Sequence, residues 1–403
     1  MSYSEWEDQR LSEIVEITMG QSPKSEFYNQ NKVGKPFLQG NRTFGLKYPS
    51  FDTWCTNPKK IAKKNDVLMS VRAPVGDLNI ANKDLCIGRG LCSLRMKNEN
   101  NEFLYYLLEA NIKGIVNVET GSVFGSINKK TIESLKFKIP SIHEQKAIAN
   151  ILSSLDDKIE LNNKINKNLE EIAQALYKQW FVDFEFPNED GEPYKSSGGE
   201  FIESELGSIP RRWRVKKLKV IMDFIKDSAK AGDALKNRFY TPIDVLPKKQ
   251  LVIDNYKSYE EAKSSLLLYQ KYDILIGAMR VYFHRVNLAP FNGITRTTTF
   301  VIRGKNQDDV AYNLLTLNQE STIEYANGTS RGSTMPYAVW ENGLGEMRIA
   351  FPLIETRMAY NKLILPMLNQ IIGNTDENRR LSKLRDILLP KLMNGEIEVP
   401  IKG

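Results

Sequence analysis

Residues 64–70 read Lys64-Asn-Asp-Val-Leu-Met-Ser70, and residues 271–277 read Lys271-Tyr-Asp-Ile-Leu-Ile-Gly277. Each is a polar turn feeding a short buried strand. They lie 207 residues apart and share Lys, Asp and Leu in one frame. The same offset aligns Trp6 with Trp213, Leu11 with Leu218, and Arg89 with Arg296. It also aligns Tyr105, Leu107, Leu108 and Asn111 with Tyr312, Leu314, Leu315 and Asn318, and Gly121, Gly125 and Ser126 with Gly328, Gly332 and Ser333. Farther on, the offset becomes 212 and pairs Pro140 with Pro352, Asn162 with Asn374, and Leu169 with Leu381. A period this long is no solenoid; it predicts two related halves, each a globular domain followed by a helix. Short helices over 103–110 and 310–317, Gly/Ser loops, and the alternating strand 135–140 make each domain mixed α and β.

After Pro140 the pattern changes. Ser141 and Glu144 form an S-x-x-E capping box. Ile148, Leu155, Asn162, Leu169 and Leu176 then recur every seven residues, with Ile151, Ile165 and Ile172 as the companion seam. A helix over about 142–180 would be ~60 Å long. The second copy offers Tyr360, Met367, Asn374, Leu381 and Leu388, flanked by Leu363 and Leu384. Pro366 should kink or break this helix, and Gly373 weakens its middle. Matching seams predict that the two helices pair with each other, the alternative being that each packs on its own domain. Asn162 and Asn374 share one seam position, where a polar residue fixes register. The stretch 188–199, rich in Gly, Ser and Pro, reads as a linker.

The chain has 403 residues, 56 Lys plus Arg against 49 Asp plus Glu, a net charge of +7, and 41% hydrophobic residues. That composition suits a soluble, multi-domain, mildly basic protein. No apolar run approaches the roughly 18 residues of a membrane span. The polar stretch Met1–Arg10 is no ordinary secretory signal, so the cytoplasm is expected. Three cysteines and two histidines favour neither a disulfide framework, a His-based metal site, nor a catalytic triad.

Catalytic motifs are missing. Gly34-Lys35 and Gly304-Lys305 lack the Ser or Thr of a phosphate loop, and Gly88-Arg-Gly90 lacks the third glycine of a dinucleotide fingerprint. No Pro-Pro pair exists for an amino-methyltransferase loop. Glu144-Gln-Lys146 has nuclease-like spacing, but the capping box accounts for Glu144. Asp156-Asp157 reads as a solvated helix face, and His143 and His284 have no evident partner. The chain therefore reads as a binding protein without its own active site.

The distribution of basic residues suggests nucleic acid. Arg42, Arg72, Arg89, Lys129 and Lys130 lie in or near turn-rich parts of the first half. Arg280, Arg285, Arg296 and Arg331, with His284 beside them, lie in the second. Arginine reads guanine edges and pairs with phosphates. Ser122, Thr329 and Ser330, near the Gly/Ser loops, add hydroxyls. The plainer reading of any one Arg is a surface ion pair. Arg89 and Arg296 stand out because the repeat places both at one site; the alternative is scaffold, since residues that discriminate sequence should differ between two domains reading different sequences.

Three stretches resemble the specificity subunit of type I restriction-modification systems. They are Ile139-Pro-Ser-Ile-His-Glu-Gln-Lys146 with Ile151-Leu-Ser-Ser-Leu-Asp-Asp-Lys-Ile159, then Ala175-Leu-Tyr-Lys-Gln-Trp-Phe-Val-Asp-Phe184. The Lys64 and Gly121 motifs agree, and the resemblance covers nearly the whole chain. It implies an α/β (α+β) fold: two similar mixed target recognition domains separated by two long helices that form an antiparallel coiled coil. The segments would be 1–140 and 209–352 for the recognition domains, 141–187 and 353–403 for the helices with the C-terminal tail, and 188–208 for the linker. The resemblance further implies that each domain reads half of a split double-stranded DNA target while the helices set the spacer. Two methyltransferase subunits would dock on the helices, and restriction subunits would join them. Adenine methylation and ATP-dependent cleavage would belong to those partners, with S-adenosylmethionine, Mg²⁺ and ATP; this chain would carry no cofactor or metal and meet no membrane. The competing expectations are a stand-alone nuclease or methyltransferase, and a coiled-coil scaffold that binds only proteins.

Overall fold

A computed structural model describes residues 6–117 and 125–400. The chain forms two compact units: residues 1–161 with 380–403, and residues 162–379. In the first, β1 (Glu7–Arg10), β2 (Val15–Met19), β3 (Val67–Ser70), β4 (Leu78–Ile80) and β5 (Leu91–Met96) precede α1 (Asn101–Asn117) and β6 (Lys136–Ile139). Strands β2, β5, β3 and β4 make an antiparallel sheet in that order, and β1 pairs with β6. Phe103, Leu104, Tyr106 and Leu107 of α1 are buried in the core with strand residues Val67, Met69 and Leu94. A second sheet of five short strands contains Lys35–Leu38 and Leu85–Ile87.

A long helix, α2 (Ile142–Tyr177), follows. The second unit then repeats the plan with β7 (Arg214–Lys217), β8 (Met222–Phe224), β9 (Ile274–Gly277), β10 (Val286–Leu288), β11 (Thr299–Gly304), α3 (Val310–Leu317), β12 (Arg348–Phe351) and α4 (Ile354–Met393). Its sheet order, β8-β11-β9-β10, is that of the first unit, and β7 pairs with β12 as β1 does with β6. Its second sheet has four strands.

The repeated Lys-x-Asp motif has a physical cause. Asn65 and Tyr272 both adopt left-handed backbone, at φ 70° and 72°. The Asp66 carboxylate accepts from the Lys63 amide at 2.8 Å, and Asp273 from the Gln270 amide at 2.7 Å. Each aspartate is buried and pairs with an arginine of the central strand, Asp66 with Arg95 at 2.6 Å and Asp273 with Arg303 at 2.6 Å. The turn and the next strand are thus pinned by one carboxylate, which tolerates no shorter or uncharged substitute.

The two long helices pair antiparallel. Within the first unit Asp156 on α2 meets Arg385 on α4 at 2.9 Å. Within the second, the Asn162 amide donates to Asn378 at 2.9 Å, Asn374 donates to Asn166 at 2.8 Å, and the Tyr360 hydroxyl donates to the Ala173 carbonyl at 2.9 Å. Partners descend along α4 as they ascend along α2. Asn162 also reaches Glu377 at 2.7 Å, and Asn378 donates to Asn163 at 2.8 Å. The middle of the seam is therefore a ladder of amides, and buried Asn162 and Asn374 are two of its rungs. Ile148 is buried, and Leu155, Leu169, Leu176, Met367, Leu381 and Leu388 are partly covered.

Several expectations are corrected. The companion seam lies one residue later than the sequence pattern suggested: Leu152, Ile159 and Ala173 are buried, whereas Ile165 is 36% and Ile172 45% exposed. On α4, Leu363 and Leu384 likewise face solvent, and Ile364 and Leu368 are buried instead. The seam follows i, i+4 spacing rather than i, i+3, and at Asn166 it uses a polar residue that an apolar search passes over. No break occurs at Pro366 or Gly373: α4 runs 40 residues without interruption. Pro366 and Lys362 are both exposed, so the carbonyl that proline leaves unbonded faces water. The 188–208 segment is mostly exposed turns with some local order. Tyr194 stacks on Phe186, Phe186 on Trp213, and Phe201–Ser204 forms a hairpin with Gly207–Pro210. Asp156 is not on a solvated face; it is buried and accepts from the Tyr106 hydroxyl at 2.6 Å.

Two carboxylates pack against the helix pair at a cost. Glu109 on α1 has one shielded oxygen with no partner, and burial pushes its carboxyl up to about 7 despite Arg385. Glu170 on α2 accepts from the Leu251 amide at 2.7 Å, yet burial and nearby Asp254 push it up to about 7. Because both bind protons more tightly folded than unfolded, their contribution is complete below an unfolded value of about 4.3 and lost as pH rises through about 7. Glu109→Gln and Glu170→Gln should therefore raise unfolding free energy at pH 8.5, on the order of 2 kcal/mol each, and change little at pH 4. Denaturant titrations at the two pH values check this; equal effects at both would refute the assignment. Asp66→Ala and Asp273→Ala should each destabilise their own unit by about 3 kcal/mol, leaving an unpaired arginine, as calorimetry would show.

Candidate nucleic-acid interface

The ends of the main-sheet strands carry the exposed arginines, and backbone hydrogen bonds hold their loops. In the first unit the Val71 amide donates to the Gly90 carbonyl at 2.9 Å, and the Ile127 amide to the Val71 carbonyl at 3.0 Å. Segment 71–72, turn 88–90 and residues 126–127 thus lie side by side, and Arg72 and Arg89 project from two of them into solvent. Gly90 is needed there: a Cβ would sit 2.6 Å from the Gln39 carbonyl oxygen. The Gly88-Arg-Gly90 motif is a turn between two strands.

The second unit repeats the stitching. The Ala278 amide donates to the Thr298 carbonyl at 2.9 Å and the Ala338 amide to the Ala278 carbonyl at 2.8 Å. Arg331 and Tyr337 exchange two backbone bonds of 2.9 Å, and the Arg280 amide reaches Pro336 at 2.8 Å. Arg280, Arg296 and Arg331 are all exposed on these joined segments. Arg296 donates to the Ser264 hydroxyl at 3.3 Å. Beside Arg331 opens a cleft of about 620 Å³, lined by Phe224, Phe300, Trp340, Met335, Tyr337 and Thr298 among others.

Other candidates divide. Lys129 and Lys130 are exposed in the first turn of helix Lys129–Ser134, whose Asn128 cap accepts from the Thr131 amide at 3.1 Å. Lys129 lies 3.6 Å from Glu133. Arg42 is exposed but bound to Asp52 at 2.5 Å, and that bond holds the Asp52 carboxyl below the usual range. Ser122 lies outside the described residues. His284 is corrected: it is buried, with Nδ1 3.0 Å from Glu320 and Nε2 2.9 Å from Asn318, so it braces the scaffold. Thr329 is half-buried, and its hydroxyl donates to the Tyr325 carbonyl at 3.0 Å, closing a helix end. The Ser330 hydroxyl does the same toward Ala326 at 2.8 Å. Arg285 is half-buried, its guanidinium 5.4 Å from the Phe283 ring centroid.

The remaining chemistry is structural. Glu144 accepts from the Ser141 amide at 3.1 Å and hydroxyl at 2.8 Å, the expected capping box. Asp157 binds the buried Lys47 ammonium at 2.8 Å while Asp156 faces Arg385, so the two aspartates do not share a metal. Burial pushes the Cys86 thiol up to about 11 and Cys92 to about 12. Neither is poised as a nucleophile. Among the described residues no group of three or more His, Cys, Asp or Glu could hold a metal. No described helix is long and apolar enough to cross a membrane. Sequence reasoning missed the cleft. Its only signal was Met335, Tyr337 and Trp340 grouped in one Gly/Ser-rich loop, an unusual concentration of large apolar side chains.

Comparison with known proteins agrees with this architecture. Residues 3–171 match the family described as type I restriction modification DNA specificity domain. The chain is 43% identical over 176 residues to the MjaX specificity subunit of Methanocaldococcus jannaschii, a match spanning 43% of this chain and 41% of that relative. Over almost its full length it is 25% identical to the type I restriction enzyme MjaIX specificity subunit of the same organism, covering 98% of this chain and 94% of the relative. It is 26% identical to the HindI specificity subunit of Haemophilus influenzae, covering 98% and 100%. The crystal structure of a type I restriction-modification S subunit from M. genitalium shares the fold at a TM-score of 0.62 and 15% identity, covering 97% and 96%. Residues 3–171 thus match the type I restriction modification DNA specificity domain, and over almost its full length the chain is similar to type I restriction enzyme specificity subunits.

Proposed function

We propose that each unit's stitched loops read one half of a bipartite double-stranded DNA target, and that the paired helices set the unread spacer. Similarity to type I restriction enzyme specificity subunits supports reading this as the non-catalytic, sequence-recognising chain of a complex. The observation that carries the finer reading is the shared stitching: Val71–Gly90–Ile127 in one unit, Ala278–Thr298–Ala338 in the other. Arg89 and Arg296 hold the same repeat position on it. A residue common to two readers of different sequences suits the phosphate backbone, which carries no sequence information. Arg72 and Arg280 have no arginine at the matching position, because Arg72 aligns with Met279 and Arg280 with Ala73. These, with Arg331, suit base edges. Lys129 and Lys130 suit flanking phosphates.

Exposed Ile165 and Ile172 form an apolar stripe on α2, turned away from α4. This stripe supports docking of two methyltransferase subunits, with restriction subunits joining them. S-adenosylmethionine, Mg²⁺ and ATP would serve those partners, in the cytoplasm. The same stripe is what a purely protein-binding scaffold would also present, so DNA binding decides between the readings. Two half-sites held on one chain bind with high effective concentration.

Replacing residues 1–139 by another recognition domain should alter one half of the methylated sequence and leave the other; mapping methylated adenines reads this, and a change in both halves would defeat the two-reader model. Arg89→Ala and Arg296→Ala should weaken target and random DNA alike and reduce the salt-dependence slope by about 1. Arg331→Ala should relax one base pair, losing about 1–3 kcal/mol of discrimination. Gel shifts over a salt series separate the two outcomes.

A further inference from the structure

The cleft beside Arg331 differs from the rest of the loop surface. Its walls include Phe224, Phe300 and Trp340, with the Phe224 and Phe300 rings edge-to-face at 5.2 Å. The Thr298 hydroxyl in its lining is shielded from solvent and has no hydrogen-bond partner. A buried hydroxyl without a partner costs free energy unless something arrives to bond it. At the mouth, Met335 is 51% and Tyr337 45% exposed, large apolar side chains left in water. Arg331 lines the cleft itself, and Arg280 and Arg296 stand on the adjoining segments.

We propose that this cleft receives one unstacked nucleobase of the half-site read by the second unit. The inference rests on the DNA-reading proposal and deepens it. The occupant follows from the chemistry. The aromatic walls offer stacking faces, which every base can use. The Thr298 hydroxyl offers a single hydrogen bond to a base edge. The flanking guanidiniums neutralise the phosphates on either side of the displaced nucleotide. A phosphate itself fits less well, because the lining is mostly apolar and sets Glu341 beside its one arginine. At about 620 Å³ the cleft has room for a whole base and not merely a methyl group. Met335 and Tyr337 would wedge into the gap left in the stack, as apolar side chains do where proteins kink a duplex.

The test uses the full-length chain, assembled with its methyltransferase partner, and duplexes carrying the mapped target. Each base of the second half-site is replaced in turn by 2-aminopurine, whose emission reports loss of stacking. One position should change several-fold on binding while its neighbours stay at the duplex level. Met335→Trp, at a half-exposed rim position that leaves the core untouched, should narrow the mouth and return that position to the duplex level. Thr298→Val keeps the shape and removes the hydroxyl; it should lower discrimination at that same base about tenfold and nowhere else. Tight binding with duplex-level emission at every position would overturn the cleft proposal and leave DNA reading intact. Failure to bind any duplex would overturn DNA reading and the cleft with it.

Discussion

The fold depends on the antiparallel pairing of two helices that neither could leave unmade. Each carries a buried seam, and in each the middle of that seam is polar. Asn162, Asn163 and Asn166 on one helix find Asn374, Glu377 and Asn378 on the other. An apolar seam would pair in several registers at similar cost. The buried amides of Asn162 and Asn374 favour the alignment in which donors meet acceptors, because a displaced register strands them. Stability at the ends of the pairing comes instead from bulk. Tyr177, Trp180, Phe181 and Tyr360 pack together in one unit, and Leu152, Leu389 and Leu392 in the other.

The duplication was readable because its marks are chemical necessities. Asp66 and Asp273 recur because one carboxylate must close a turn and pair an arginine. The offset changes from 207 to 212 because loop length grows only where the backbone is free: β1 with β6 and β7 with β12 keep the same register, Glu7 opposite Ile139 and Arg214 opposite Phe351. The seam was readable to within one residue, and the error has a plain source. Ile165, Ile172, Leu363 and Leu384 are apolar and spaced like a seam, but they face outward, and only the position of the partner helix distinguishes the two faces. Pro366 was misjudged because its cost depends on whether the orphaned carbonyl meets water, which spacing does not reveal.

The candidate site was readable in outline only. Charge and turn content located Arg72, Arg89, Arg280, Arg296 and Arg331, all exposed on joined loops. The same criteria admitted His284, whose ring nitrogens are taken up by its own scaffold. The cleft went unseen because its wall residues come from strands and loops as far apart as Phe224 and Trp340, and only tertiary structure assembles them.

The loops that face outward are fastened to the sheet by main-chain atoms. Val71 with Gly90 and Ala278 with Thr298 bond through amide and carbonyl groups that every residue type except proline can supply in full. The exposed side chains on these segments, unlike Gly90 and the buried Val71 and Ala278, are therefore released from structural duty. Such a framework can exchange its outward-pointing residues freely while the chassis beneath keeps its shape, so new preferences can arise by drift without a detour through misfolded intermediates.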